Sequence, residues 1–157
     1  MIKYCLDKWD KNQDKLREAL AKDAELYHCG YTYIVKLVVQ HILNDGVTNE
    51  HDMKWSMDIT EIDDGNYQGT LLYLIPANTY QPSASEYLMT HVYYGSCSVC
   101  DTLQRIQADF NWMRKVVLPN EEQINDFMTL CRNLICNMIK PYNTGWGYES
   151  DFDTIEF

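Results

Sequence analysis

The stretch "KWSMDITEIDDGNYQGTLLYLIPA", residues 54–77, decides the fold class, because the hydrophobic period changes within it. Trp55, Met57 and Ile59 alternate with Ser56, Asp58 and Thr60, the two-residue period of a strand with one buried face. Asp63-Asp64-Gly65-Asn66 follows, a cluster tolerant of positive φ that predicts a hairpin turn. The second arm, "GTLLYLIPA", is apolar on both faces and so predicts a central strand, closed by Pro76. A loop, "NTYQPSAS", leads to "EYLMTHVYYGS", residues 86–96, which predicts a third strand. There Tyr87, Met89, His91 and Tyr93 share one face, and Leu88, Val92 and Tyr94 the other.

Helical periods flank this middle. Residues 7–26, "DKWDKNQDKLREALAKDAEL", predict an exposed amphipathic helix with a thin stripe of Trp9, Leu16, Leu20 and Ala24. Residues 31–45 predict a more deeply buried helix through Tyr31, Ile34, Val35, Val38 and Ile42, stopped at Asp45-Gly46. After the third strand, "CSVCDTLQRIQADFNWMRKVV" opens on Ser and Asp capping candidates and places Leu103, Ile106 and Phe110 at helical spacing. The last helix starts behind Pro119, with Asn120 as cap and Gln123 in the capping-box position. Ile124, Phe127, Met128, Cys131, Leu134, Ile135 and Met138 form its apolar face, and Pro141 ends it.

The expected fold is therefore α+β: a small three-stranded antiparallel meander with about four helices packed mainly on one face. One domain suffices for 157 residues. Within it fall a helical N-terminal part (1–46), a sheet (53–95), a second helical part (97–140) and an acidic, aromatic tail (141–157).

Composition narrows the function classes. Acidic residues number 23 against 13 basic ones, and a net charge of −10 repels phosphates, so no direct nucleic-acid binding is expected. The same field attracts a basic groove on another protein. The start of the chain shows no apolar run long enough for a signal peptide, and no membrane-spanning run occurs, so a cytoplasmic location is expected. Six cysteines in that compartment read as reduced thiols, metal ligands or core residues rather than disulfides.

The most patterned segment is "YYGSCSVCDTLQ", residues 93–104. A C-x-x-C pair between strand and helix has the form of a redox dithiol, but the meander lacks the alternating strand and helix order of thioredoxin-like folds. It is also half of a zinc site. The missing ligands would have to come from His28 and Cys29, or from Cys131 and Cys136, which a helix turns about 140° apart. A Cys/His/Asp set of Cys97, His91 and Asp101 has nothing to fix its geometry. Phosphate-loop signatures are absent, and a nucleotide pocket would need Lys54, Arg105, Arg114 and Lys115 to converge. The favoured reading is a structural joint: Gly95 in a special backbone conformation, Ser96 or Ser98 capping a helix, and small cysteines packed beneath. No catalytic residue and no cofactor is expected; zinc on Cys97 and Cys100 is the alternative.

Around "YGSCSVCDTL" the chain resembles a group of small phage and mobile-element proteins carrying a Tyr-Gly-Ser-Cys-Ser-x-Cys-Asp-Thr-Leu motif. The hairpin "IDDGNYQGT", the segment "IPANTYQPSASEYL" and the helix "DFMTLCRNLI" extend the similarity over roughly Trp55 to Met138. The resemblance implies a phage or mobile-element origin and assigns no catalytic residues. For small acidic accessory proteins of this kind a recurring role is counter-defence, and the acidic count motivates it here. The expected role is an acidic inhibitor in the host bacterial cytosol that binds a host defence protein, including the anti-CRISPR mode of occupying the nucleic-acid channel of an RNA-guided nuclease. Its candidate contacts are Asp63, Asp64, Glu149, Asp151, Asp153 and Glu156. The runner-up readings are a zinc- or thiol-dependent module on Cys97 and Cys100, and a binder of a small signalling nucleotide.

Overall fold

A computed structural model of the chain describes residues 2–45 and 54–140. The α+β architecture is present: helices α1 (Ile2–Ala21) and α2 (Tyr31–Val38), strands β1 (Thr60–Asp63), β2 (Gly69–Pro76) and β3 (Tyr87–Tyr94), then helices α3 (Thr102–Ala108) and α4 (Glu121–Cys136). The sheet is an antiparallel meander in the order β1-β2-β3, which puts the doubly apolar strand at its centre. No helix among the described residues is long and apolar enough to cross a membrane.

Register separates the two faces of the sheet. Leu71, Tyr73 and Ile75 stand opposite Val92, Thr90 and Leu88, and this face meets the helices. Tyr73, Ile75, Leu88 and Thr90 are fully buried there. The other face carries Ile62, Leu72, Leu74, Met89 and Tyr93 together with the polar Thr60, Thr70 and His91; Ile62 and Tyr93 remain 44% and 65% exposed. Thr90 ties the sheet to α4, because its hydroxyl donates to the Leu134 carbonyl at 2.7 Å. That carbonyl lies in the last turn of α4, where Met138 N–H turns to Ile135 instead, so Thr90 satisfies an otherwise orphaned acceptor. Thr90→Val keeps the volume and removes the donor, and we expect a loss of about 1–3 kcal/mol in urea unfolding. A change within experimental error would show that Leu134 finds another donor.

The helices depart from their expected bounds for local reasons. α1 begins at Ile2 and ends at Ala21, and its stripe of Cys5, Trp9, Asn12, Leu16 and Leu20 is buried rather than exposed. Its start was masked by charges, but Cys5 and Asn12 continue the helical spacing of Trp9, Leu16 and Leu20. Ala24 lies beyond the helix and is exposed. α2 continues as a π-helical turn, Val39–Leu43, which buries Val39, Ile42 and Leu43 against α1. The buried Asn12 donates to Ile42 O and Asp45 O, holding that widened turn. α3 stops at Ala108; residues 109–118 are turn and loop, although Phe110 still reaches the core. The capping box of α4 forms in both directions, with Asn120 accepting from Gln123 N–H and Gln123 accepting from Asn120 N–H, each at 2.8 Å.

The first hairpin arm is shorter than its alternation predicts. Asp58 N–H bonds to the Ser56 hydroxyl, which turns the chain, so Trp55 pairs alone with Ala77 and Met57 is exposed. The turn itself also differs. Its left-handed residue is Tyr67, at φ 62°, and neither Gly65 nor Asn66 supplies that conformation. Gln68 N–H bonds to Asn66 O across it, a three-residue turn that holds a bulky side chain in a strained region. Gly65 is required for space, since a Cβ there would strike the Gln68 carbonyl.

Candidate functional site

Two neighbouring features carry the polar and reactive side chains: the acidic hairpin and the turn between β3 and α3. β1 is exposed along its whole length, with Glu61 and Asp63 on one side and Ile62 on the other. Asp63 accepts from the Tyr94 hydroxyl at 2.6 Å and from Gly65 N–H at 2.9 Å. Asp64 accepts from Thr70 N–H at 2.7 Å, and Glu61 accepts from the buried Tyr73 hydroxyl at 2.8 Å. The structure thus brings Asp63 and Asp64 together at an exposed tip beside Tyr67, which is 86% exposed. Glu149, Asp151, Asp153 and Glu156 lie outside the described residues.

The charge is concentrated at this end of the sequence pattern. Residues 58–64 hold Asp58, Glu61, Asp63 and Asp64 with no Lys or Arg, whereas acidic and basic residues balance over 2–45. The Tyr94 hydroxyl first, then Gly65 N–H, hold the Asp63 carboxyl below its usual range, and the same bond pushes the Tyr94 phenol up to about 12. A lowered folded pKa means that the contribution of this contact is complete above the unfolded value. It fades as pH falls through the folded one. An NMR titration of Asp63 is expected to give a midpoint below the ordinary 3.8, and a midpoint at or above it would show that the tip does not close as described.

The β3–α3 turn is organised by Asp101, not by Ser96 or Ser98. Asp101 is the α3 cap and is 4% exposed. Its Oδ1 accepts from Gln104 N–H and from the Tyr31 hydroxyl, and its Oδ2 accepts from Gly95 N–H, each at 2.9 Å. Tyr31 in turn accepts from Leu103 N–H at 3.1 Å. Burial, with the Asp101 carboxylate second among the raising influences, holds the Tyr31 phenol above its ordinary range against the Leu103 amide. Gly95 is not left-handed; it is needed because a Cβ would stand 2.5 Å from Cys100 Sγ and 2.7 Å from its carbonyl oxygen.

The two cysteines do not pack beneath this joint. Both are exposed, and their sulfurs lie 3.2 Å apart. The Cys97 thiol first, then the Cys97 backbone, and Ser96 beyond them hold the Cys100 thiol below its ordinary range. No group of three or more Cys, His, Asp or Glu among the described residues could hold a metal ion, so the pair lacks a third ligand there. His28 pairs with Glu25 at 3.0 Å, Cys29 lies against Leu26 and Gln107, and Cys131 is buried in α4. The Cys/His/Asp set does not assemble either: His91 lines a cleft of about 390 Å³ beside α4, while Asp101 is engaged by Tyr31, Gly95 and Gln104. Arg105 lines that cleft and faces Asp126 at 3.8 Å, and Lys54, Arg114 and Lys115 are not among the residues that line it.

Sequence reasoning missed the Tyr31–Asp101 bond, which spans 70 positions. Local pattern carries no signal for such a contact. It could have found the exposed segment at Trp112, Met113 and Val116, where Asn111 and Arg114-Lys115 break the helical stripe. No protein-family model, no curated protein and no solved structure matches this chain.

Proposed function

We propose that the chain is a non-enzymatic accessory protein of a phage or mobile element that binds and blocks a host defence protein in the bacterial cytosol. The favoured target is the positively charged nucleic-acid channel of an RNA-guided nuclease, the anti-CRISPR mode of action. One observation carries this reading: a sheet face open at Ile62 and Tyr93 ends at a hairpin whose tip presents Asp64 and the exposed Tyr67, with Glu61 and Asp63 exposed on the reverse side of β1. Apolar and tyrosine-rich centres with a charged rim are the anatomy of protein interfaces. The acidic rim suits a basic groove and speeds encounter with it. Tail residues Glu149, Asp151, Asp153 and Glu156 add further negative charge without any Lys or Arg after Lys140. The phage assignment rests on the sequence resemblance around Cys97 and Cys100.

Inhibition of target-DNA cleavage by purified RNA-guided nucleases, at two salt concentrations, tests the proposal. Inhibition should weaken with salt and should be lost on Asp63→Lys with Asp64→Lys. Tyr67→Gly separates fold from function. Relief of left-handed strain should raise stability by up to about 1 kcal/mol. Loss of an interface tyrosine should at the same time weaken binding by roughly tenfold or more. Absence of any complex with these nucleases, or inhibition indifferent to both variants, would remove the target class or the surface respectively.

A further inference from the structure

We infer that Cys97 and Cys100 form a reversible dithiol–disulfide pair that exchanges electrons with low-molecular-weight disulfides, an activity separate from the binding surface. Three features of the turn place the sulfurs for it. Cys100 N–H and Asp101 N–H both bond to the Cys97 carbonyl, at 3.2 and 3.0 Å, so residues 97–100 close a tight turn. Such turns hold their end Cα atoms within about 7 Å, the span a disulfide bridges. The sulfurs are already 3.2 Å apart, and a bond of about 2.05 Å requires them to close by only about 1.2 Å. Both side chains are open to solvent, so a disulfide in solution can reach them.

The other cysteines are unlike this pair. Cys5 and Cys131 are buried, Cys29 is half-buried, and burial pushes each of these thiols up to about 12. Cys136 is half-buried near the end of α4. Cys97 and Cys100 are thus the two cysteines exposed to solvent, and they share one turn. Its surroundings are fixed: Gly95 leaves room for Cys100 Sγ, Gln104 donates to the Gly95 carbonyl at 3.1 Å, and Asp101 anchors Gly95 N–H. A rigid turn holds the two sulfurs together in the reduced protein, which favours ring closure over release of a mixed disulfide.

The chemistry is a two-step exchange with glutathione disulfide as the oxidant. The Cys100 thiolate attacks one sulfur of the disulfide, and one glutathione leaves as thiolate and takes up a proton, giving a Cys100–glutathione mixed disulfide. Cys97, after losing its proton to water, attacks Cys100 Sγ and expels the second glutathione, which is protonated in turn. The protein dithiol loses two electrons and two protons, and the glutathione disulfide becomes two thiols. Reduced glutathione in excess runs the same steps backwards.

The test uses the full reduced chain equilibrated with glutathione redox buffers, quenched in acid, alkylated and mapped by mass. The expected product is one Cys97–Cys100 bridge, with the other four cysteines alkylated. Cys97→Ser should stop the reaction at a stable mixed disulfide on Cys100, and Cys100→Ser should form no bridge. Circular dichroism checks that both variants are folded, while the wild-type result stands without them. Wild-type protein that keeps all thiols in fully oxidised buffer, that accumulates only mixed disulfides, or that bridges other cysteines would overturn the inference. Stoichiometric zinc that survives purification and blocks oxidation would overturn it in favour of a metal site.

Discussion

Asp101→Ala is expected to lower the unfolding free energy by roughly 3–5 kcal/mol, because it strands several buried donors at once. The carboxylate caps α3 and accepts from Tyr31, Gly95 and Gln104 in a setting that is 4% exposed. Loss of a cap alone costs about 1 kcal/mol. A buried Gly95 N–H without an acceptor adds roughly 1–3 kcal/mol. Tyr31 keeps its bond from Leu103 N–H but loses the acceptor for its own hydroxyl proton. Asp101→Asn keeps one acceptor and turns an amide donor toward either Gly95 N–H or Tyr31, so an intermediate loss is expected. Gly95→Ala should cost about 1–3 kcal/mol by overpacking against Cys100. Urea unfolding followed by tryptophan fluorescence measures all three, and an Asp101→Ala loss below about 1 kcal/mol would mean that water replaces the network.

This joint also shows what the sequence could and could not convey. The hydrophobic period of β2 and β3 and the capping box of α4 are local patterns, and the structure contains each of them. The choice of cap at α3 was not local. Ser96, Ser98 and Asp101 are all good caps, and Tyr31, distant in the chain, selects Asp101 by supplying a buried donor. Gly95 was legible as a necessary glycine, but its reason is contact with Cys100 rather than backbone handedness. The hairpin turn misled for a related reason: Asp63 and Asp64 are spent on side-chain bonds to Gly65, Tyr94 and Thr70, which leaves Tyr67 to take the positive φ. Asp63 and Asp64, neighbours in the chain, are both exposed in the hairpin, whereas the set of Cys97, His91 and Asp101 does not assemble because β3 points His91 into a different cleft.

Phe127→Ala should cost about 3–5 kcal/mol, the range for removing a large aromatic from a packed interior. Phe127 is fully buried in α4, and its ring stands 6.2 Å from that of Phe110 at an angle of 57°, a tilted aromatic pair. In a double-mutant cycle with Phe110→Ala, the double mutant should lose about 0.5–1.5 kcal/mol less than the sum of the two single losses, the coupling of the pair. The pair matters because Phe110 begins the segment in which Trp112, Met113 and Val116 are 72%, 86% and 57% exposed. With Phe110 loosened, Val117 and Pro119 are the buried residues left to hold that segment before α4. Hydrogen exchange should therefore rise across 110–119 more than in β2 and β3, whose contacts with each other do not pass through Phe127. The hairpin and the open sheet face should keep their shape in the folded fraction, and target binding corrected for that fraction should be unchanged. Binding that falls together with protection of 110–119 would place the contact surface on the exposed Trp112–Val116 segment instead. The acidic hairpin would then serve encounter and solubility, and the apolar segment beside Arg114 and Lys115 would carry the affinity.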